Sequence, residues 1–226
     1  MDLAKYAAKF DPTEAFRQLA DPDPAVRLVG AKWVEKQSRG AVNNFTEPWL
    51  KDVATMSRLL PLLADPDELV VEELTGAVNM IVSRYRKDAR AMPPAVKLVS
   101  STRKNTRLRA ALILTNFPDP ALADVLLPLF TDPDKQVRAI VMKETANEVL
   151  SWPADLQERT RQAALARLAD RAAEVRAAAA TLLITVGTAA DVPTLKAALK
   201  TMEGHNYRQD FRESIGLLEA ALKRKR

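Results

Sequence analysis

Apolar residues along the chain recur at the spacing of one helix face, before and after a short polar turn. After the turn at residues 20–23, an i, i+3, i+4, i+7, i+8 pattern is formed by Val26, Val29, Gly30, Trp33 and Val34. The residues before such turns are apolar as well, as in 59–63 and 126–130. This spacing predicts units of helix, turn and helix, and no segment alternates as a half-buried strand does. The pattern therefore predicts an all-α protein.

An Asp-Pro-Asp turn recurs between the two predicted helices of a unit. It stands at 21–23, 65–67 and 132–134, with a looser copy at 170–176 and weaker ones at 103–109 and 206–212. Side chains of capping type precede the second helices, and we expect them to accept hydrogen bonds from the first free N–H groups. These predicted caps are Asp23, Asp67, Asn105 and Asp134.

The repeated unit resembles the HEAT repeat family. An apolar Leu-Leu-Pro-Leu-Leu/Phe segment, the Asp-Pro-Asp turn and a Val-Arg pair carry the resemblance, and 126–138 holds all three. The resemblance implies a right-handed, armadillo-like α-solenoid of about six hairpins in a single domain, residues 1–226, in which neighbours cover each other's apolar faces. The predicted repeats are 11–40, 47–90, 93–118, 119–150, 154–187 and 191–222, followed by a basic tail at 223–226.

The resemblance also implies a ladder of polar contacts between neighbouring repeats, from an Arg of one repeat to the first Asp of another turn. The expected acceptors are Asp21, Asp65, Asp132 and Asp170. The expected donors are Arg27, Arg109, Arg138, Arg176 and Arg212. Val71 stands where repeat two should have its Arg, so the ladder is expected to be interrupted there.

In the family the second helices line the inner face, and positions two, six, nine and ten after the conserved Val should point away from the core. The inner-face candidates are Lys32, Lys36, Leu114, Phe117, Lys143, Asn147, Ile184 and Leu217. The whole set of such positions is nearly neutral in charge and, from repeat three onward, largely small or apolar, which favours a protein segment as partner. The alternative is that these apolar residues pack between repeats.

Positive charge is concentrated between residues 84 and 109, which contain nine basic residues and one acidic residue. The candidate binding residues in this basic band are Arg84, Arg86, Lys87, Arg90, Lys97, Arg103, Lys104 and Arg107. Such a band can attract nucleic acid or an acidic or phosphorylated segment. The alternative is a set of solvated helix ends, where cations are favourable in any case.

Composition excludes most catalytic chemistry. The chain has no Cys, a single His (His205) and 6 Gly, so thiolate zinc sites, thiol nucleophiles and multi-histidine metal sites are excluded, and no cofactor or metal is expected. Some HEAT-like proteins are DNA glycosylases that use Trp and a carboxylate in a cleft, but Trp33 lies on an apolar stripe, and Trp49 and Trp152 stand at predicted helix starts. Glu144, at a position that is apolar in other repeats, indicates a rotated helix more than a buried carboxylate.

The leading hypothesis is a non-catalytic protein-binding scaffold. Nucleic-acid binding through the basic band ranks second, and a glycosylase-like enzyme ranks third. The longest uncharged stretch, Ala177 to Ala190, has 14 residues and is too short to span a bilayer, and residues 1–5 lack a signal-peptide pattern. We therefore expect a cytoplasmic protein without a membrane partner.

Overall fold

The computed structural model describes residues 11–40, 48–204 and 206–224, and in these segments every regular element is helical. The α-helices are α1 (Pro12–Leu19), α2 (Pro24–Ser38), α3 (Pro48–Lys51), α4 (Val53–Leu59), α5 (Glu68–Arg84), α6 (Met92–Leu98), α7 (Lys104–Leu114), α8 (Ala123–Leu126), α9 (Lys135–Glu148), α10 (Ala154–Arg167), α11 (Ala173–Val186), α12 (Val192–Lys200) and α13 (Arg208–Arg224). Short 3-10 segments lie at Leu60–Ala64, Ala89–Ala91, Pro120–Leu122, Leu127–Thr131, Val149–Ser151 and Ala189–Asp191. The all-α prediction is confirmed.

The helices form hairpins that are grouped into two compact units, residues 1–116 and 117–226. In the first unit the second helices α2, α5 and α7 pack in sequence, and in the second unit α9, α11 and α13 do so. Most first helices are shorter than the second helices, and α10, with 14 residues, is the longest of them. We number the hairpins as repeats one to six by their second helices, in that order.

Proline explains why two first helices end early. The segments around Pro61 and Pro128 continue as 3-10 turns after α4 and α8, which end at Leu59 and Leu126. Proline has no N–H to donate and its ring crowds the preceding turn, so an α-helix cannot run through it undisturbed.

Aspartate caps start three of the second helices as predicted. The side chains of Asp23, Asp67 and Asp134 accept hydrogen bonds from backbone N–H groups two residues on, at 2.8–2.9 Å. The predicted cap at Asn105 is wrong, because α7 begins at Lys104, two residues earlier than a cap at Asn105 requires, and its N-cap residue Arg103 makes no side-chain cap. The Asn105 side chain instead donates to Glu72, 2.8 Å away.

Two rungs of the predicted ladder are present. The Arg27 guanidinium binds both carboxylate oxygens of Asp65 at 2.7 and 3.0 Å. Arg138 donates to Asp170 at 2.9 Å, and both side chains are almost completely buried. Each Arg also donates to the first carbonyl groups of its own turn, so it joins its own turn to that of the next repeat.

Repeat three follows a register that differs from the predicted one by two residues. Arg107, not Arg109, donates to the turn carbonyls, those of Ser101 and Thr102, at 2.9 and 3.0 Å. The Ser101 hydroxyl accepts the backbone N–H of Arg103, the contact that the first Asp makes in other turns. The assignment of Arg109 to the ladder is therefore wrong, because Ser101 and Arg107 supply the hydrogen bonds that define the turn.

The remaining predicted donors behave differently. Arg176 makes no ion pair with a described Asp of repeat six and instead reaches the sulfur of Met202 and the carbonyl of Thr201, at 3.2 and 3.3 Å. Arg212 is exposed on the last second helix and makes no ion pair with a described residue. No described carboxylate accepts a ladder contact from it, so its role as a ladder donor stays a prediction.

Between repeats two and three the polarity of the rung is reversed. Val71 cannot donate, but the next residue, Glu72, accepts from Arg103 and Asn105 of the following repeat. Burial alone would raise the pKa of Glu72, but the Asn105 amide and the Arg103 guanidinium hold that pKa below its usual range. The expected interruption at Val71 is thus replaced by a carboxylate on the helix and a cation on the next turn.

The buried rung between Arg138 and Asp170 yields a stability prediction. Asp170→Asn is expected to lower the free energy of unfolding by about 3–5 kcal/mol at neutral pH, because it leaves the buried Arg138 charge without its partner. Asp124→Asn is the matched control, since it breaks the exposed pair with Arg159 and should cost less than about 1 kcal/mol. Urea unfolding of the three proteins measures both effects.

The same pair predicts a pH dependence. Burial raises the pKa of Asp170, but the Arg138 guanidinium and the Ala172 N–H outweigh it and lower that pKa in the folded protein. The stabilisation is therefore complete above the unfolded carboxyl pKa of about 4 and is lost as the pH falls through the lower folded value. The difference between wild type and Asp170→Asn should shrink on acidification. A difference that does not depend on pH would contradict this account.

Candidate functional site

The second helices of the first unit expose only part of the predicted inner face. Lys32 and Lys36 on α2 are exposed, as expected. Leu114 is completely buried, so its selection as a surface residue is wrong. The two-residue shift in repeat three explains the error, because Thr106, one residue before Arg107, occupies the buried position that the predicted register places one residue before Arg109, at Leu108. The corrected face of α7 carries Leu112, which is partly exposed.

An ion-pair network crosses the second helices of this unit. Arg109 of α7 donates to the Glu72 carbonyl of α5 at 2.7 Å, and its other terminal nitrogen lies 3.5 Å from the Glu35 carboxylate of α2. Glu35 is also paired with Arg39 at the end of α2. One arginine thus links three successive repeats.

Gly76 makes room for this arginine. A Cβ at position 76 would lie 2.8 Å from a terminal nitrogen of Arg109 and 3.1 Å from the side chain of Glu35. The guanidinium therefore rests against the bare backbone of α5. Because these charged groups bind one another, the middle of the α2, α5, α7 face is already occupied by protein side chains.

The second helices of the second unit present a different surface. Lys143 and Asn147 are exposed on α9, Ile184 is partly exposed on α11, and Leu217 on α13 has 53% of its surface exposed. Glu144 is partly exposed and lies 3.4 Å from the Asn147 amide nitrogen, so it is not a buried carboxylate. We call Lys143, Asn147, Ile184 and Leu217 the second-unit ridge.

Phe117 does not belong to a second-helix face. It is partly exposed, but α7 ends at Leu114, and Phe117 lies in the connection that opens the second unit. Its prediction as an inner-face residue is wrong for the same reason as that of Leu114, the register of repeat three.

The predicted basic band does not form one continuous surface. Arg103 binds Glu72 in the first turns of α5, whereas Arg84 lies twelve residues later at the end of that helix, about 18 Å along its axis. Arg84 donates to the Arg39 carbonyl at 2.6 Å. The band is therefore divided between the two ends of the repeats.

Several members of the band already have partners. Arg90 is paired with the buried Asp88 at 2.6 Å and also binds the Ser57 hydroxyl. Arg103 is paired with Glu72, and Arg107 binds the carbonyl groups of its own turn. Lys104 is exposed but also has a partner, and Arg86, Lys87 and Lys97 are exposed. Less positive charge is therefore available to a ligand than the sequence count indicates.

The tryptophans pack within their own units. Trp33 and Trp49 stack with ring centroids 5.6 Å apart, and Phe16 meets Trp49 edge-on. Trp152 is only 4% exposed. These contacts fit the packing interpretation better than a base-stacking one.

The described residues form neither a metal site nor a membrane-spanning helix. Across 11–40, 48–204 and 206–224, no group of three or more His, Asp or Glu side chains could hold a metal ion. None of the helices described in those ranges combines the length and apolar character needed to cross a bilayer. His205, residues 41–47 and the last two residues of the basic tail lie outside the described residues, while Lys223 and Arg224 belong to α13.

Comparison with known proteins identifies the fold. No protein-family model matches the sequence, and no curated protein matches it. The chain is similar to a computationally designed armadillo repeat protein for modular peptide recognition, with a TM-score of 0.69 and 17% identity over 93% of this chain and 99% of that one. It is also similar to a designed armadillo repeat protein in complex with peptide (KR)4, with a TM-score of 0.69 and 16% identity over 94% of this chain and 100% of that one. The predicted HEAT or armadillo-like helical solenoid is thereby confirmed.

The contact between Gly76 and Arg109 can be tested by substitution. In a helix interior Ala is normally about 1 kcal/mol more favourable than Gly. Gly76→Ala should nevertheless destabilise the protein, because the added methyl group displaces the guanidinium from Glu35. In an Arg109→Met background the destabilisation should shrink, because only the 3.1 Å contact with the Glu35 side chain remains.

Gly216→Ala is the matched control, since apart from its own stretch of helix nothing lies within 4 Å of the added Cβ on the exposed side of α13. It should stabilise the protein by up to about 1 kcal/mol in either background. Thermal or urea unfolding measures these differences. Equal effects of Gly76→Ala with and without Arg109 would contradict the proposed contact.

Proposed function

We propose that the protein is a non-catalytic scaffold that binds a segment of a partner protein on the second-unit ridge. The observation that carries this proposal is the combination of exposed apolar and amide side chains on three helices packed in sequence. Leu217 and Ile184 offer apolar contacts, and Asn147 offers a group that both donates and accepts hydrogen bonds.

A peptide needs both kinds of contact. Its backbone N–H and C=O groups lose water on binding and require partners, which an asparagine amide can supply in both directions. Its apolar side chains gain by leaving water, and an exposed Leu on a well-packed helix provides a rigid surface for them. Lys143 at the same ridge favours an acidic or carboxyl-bearing neighbour in the segment.

The fold supports the same class of function. One structural neighbour is described as designed for modular peptide recognition, and another is in complex with a peptide. At 16–17% identity these neighbours support the architecture alone, so the residues that would contact a partner are argued from this chain.

Nucleic-acid binding is less well supported. The basic band is divided between two ends of the repeats, and Arg90, Arg103 and Arg107 are engaged by protein groups. A duplex needs several unpaired cations spaced along one surface. The packed tryptophans give no support to a glycosylase-like activity, and a cytoplasmic location stays a prediction from the sequence.

The proposal predicts which substitutions weaken peptide binding. Twelve-residue peptides selected by display on the whole protein should lose about tenfold in affinity on Leu217→Ala and on Asn147→Ala, because each removes one class of contact. Fluorescence anisotropy of the labelled peptides measures the loss.

Leu150→Ala is the control, since Leu150 is even more exposed, at 65%, but lies in a connecting turn. It should leave affinity unchanged. Failure to enrich any peptide, or an equal loss with Leu150→Ala, would refute the proposed ridge.

A further inference from the structure

An open groove of about 600 Å³ lies in the first-helix layer of the first unit. It runs between the segment that ends repeat two's first helix and α6, and most of its lining is apolar. The lining residues are Ser57, Leu60, Pro61, Leu63, Ala64, Arg90, Pro93, Pro94, Lys97 and Leu98. We call it the outer groove.

The surroundings of the groove extend its apolar surface. Val53, whose carbonyl oxygen lies 3.5 Å from an Arg90 nitrogen, is 41% exposed. Prolines at 61, 93 and 94 add rigid apolar surface and lose little conformational freedom when a ligand binds. An apolar floor of this kind favours the binding of apolar side chains of a ligand, which gain free energy by leaving water.

The charge around the groove has one sign. Of the described residues that line it, none is acidic, and its two charged residues are Arg90 and Lys97. The two first-helix segments, 48–64 and 85–100, contain six cationic residues against Asp52 and Asp88. Asp52 caps α4, and the guanidinium of Arg90 holds the pKa of Asp88 below its usual range.

Arg90 and Lys97 differ in whether protein groups already bind their charge. Arg90 is held by Asp88, Ser57 and Val53, so its position at the rim is fixed. Lys97 is exposed and forms no ion pair with any residue in the described ranges, so its charge is available to a ligand. Arg86 and Lys87 are exposed in the connection that leads to Arg90.

We propose that the outer groove binds an acidic amphipathic helix of a partner protein, with its apolar side chains in the groove and its carboxylates toward Lys97. Helices that dock in grooves place apolar side chains at i, i+3, i+4 and i+7 against the groove. The mostly apolar lining of the outer groove, between residues 57–64 and α6, suits such a row of side chains. The uniform sign of the rim selects against basic segments.

This site is separate from the second-unit ridge. It lies in the other compact unit and in the first-helix layer, so substitutions at one site leave the other intact. The two proposals can fail independently.

The test uses a display library of sixteen-residue peptides with apolar residues fixed at helical spacing and Glu, Gln, Lys or Ser at the other positions. Selection on wild type should enrich Glu and deplete Lys. Lys97→Glu should weaken the selected peptides at least tenfold, because it reverses the unpaired charge. Ala64→Trp, at an exposed position, should block the groove floor and also weaken them at least tenfold.

Lys200→Glu is the matched control, an exposed lysine at the end of α12, and Leu217→Ala is the control for the second-unit ridge. Both should leave these affinities unchanged. Circular dichroism and thermal unfolding verify that each variant is folded.

Three results would overturn the proposal. They are enrichment without a bias toward Glu, undiminished binding to both Lys97→Glu and Ala64→Trp, and loss on Lys200→Glu equal to that on Lys97→Glu. Tight binding of random duplex DNA that depends on Lys97, with no acidic peptide enriched, would also overturn it and assign the rim to nucleic acid.

Discussion

The structure depends on one constraint: a single helical hairpin cannot cover both of its apolar flanks. Neighbouring second helices must therefore pack against one another, and each unit forms its core in this way. Apolar contact alone would allow neighbouring helices to slide along one another. The buried arginines that join a turn to the next one supply direction, because a guanidinium bound to two turn carbonyls and a carboxylate permits one alignment.

Repeats two and three show that a polar contact between neighbouring repeats can form whichever of the two supplies the donor. Val71 removes the usual donor, and the junction uses Glu72 as acceptor for Arg103 and Asn105. The same region sends Arg109 across α5 to Glu35. The charged groups that join these repeats are paired with one another and are unavailable to ligands. The candidate binding surfaces are therefore the outer groove and the second-unit ridge.

The two candidate surfaces differ in what they can recognise. The ridge offers exposed amide and apolar groups on second helices, and it suits the backbone and side chains of a peptide segment. The outer groove combines apolar walls with cations and has no acidic lining residue among those described. A scaffold with two such sites could hold two segments of one partner or two partners, and simultaneous binding would raise the effective concentration of one segment near the other.

The sequence determined a large part of this picture. Helical apolar spacing, the Asp-Pro-Asp turns and the capping aspartates predict the all-α repeat fold, and Arg27 and Arg138 bind the acceptors that the repeat pattern assigned to them. Each of these features is local or periodic, so one copy informs the next. The exposure of Lys143 and Leu217 followed from the same periodicity.

Tertiary structure decided the rest. The register of repeat three depends on hydrogen bonds to the carbonyl groups of Ser101 and Thr102, and a run rich in basic residues offers more than one arginine for that role. The basic band is contiguous in sequence but divided in space, and Arg90 and Arg103 lose their availability to carboxylates that only folding brings close. Periodicity predicts which face a residue occupies, whereas the partner it meets across that face is set by packing between distant segments.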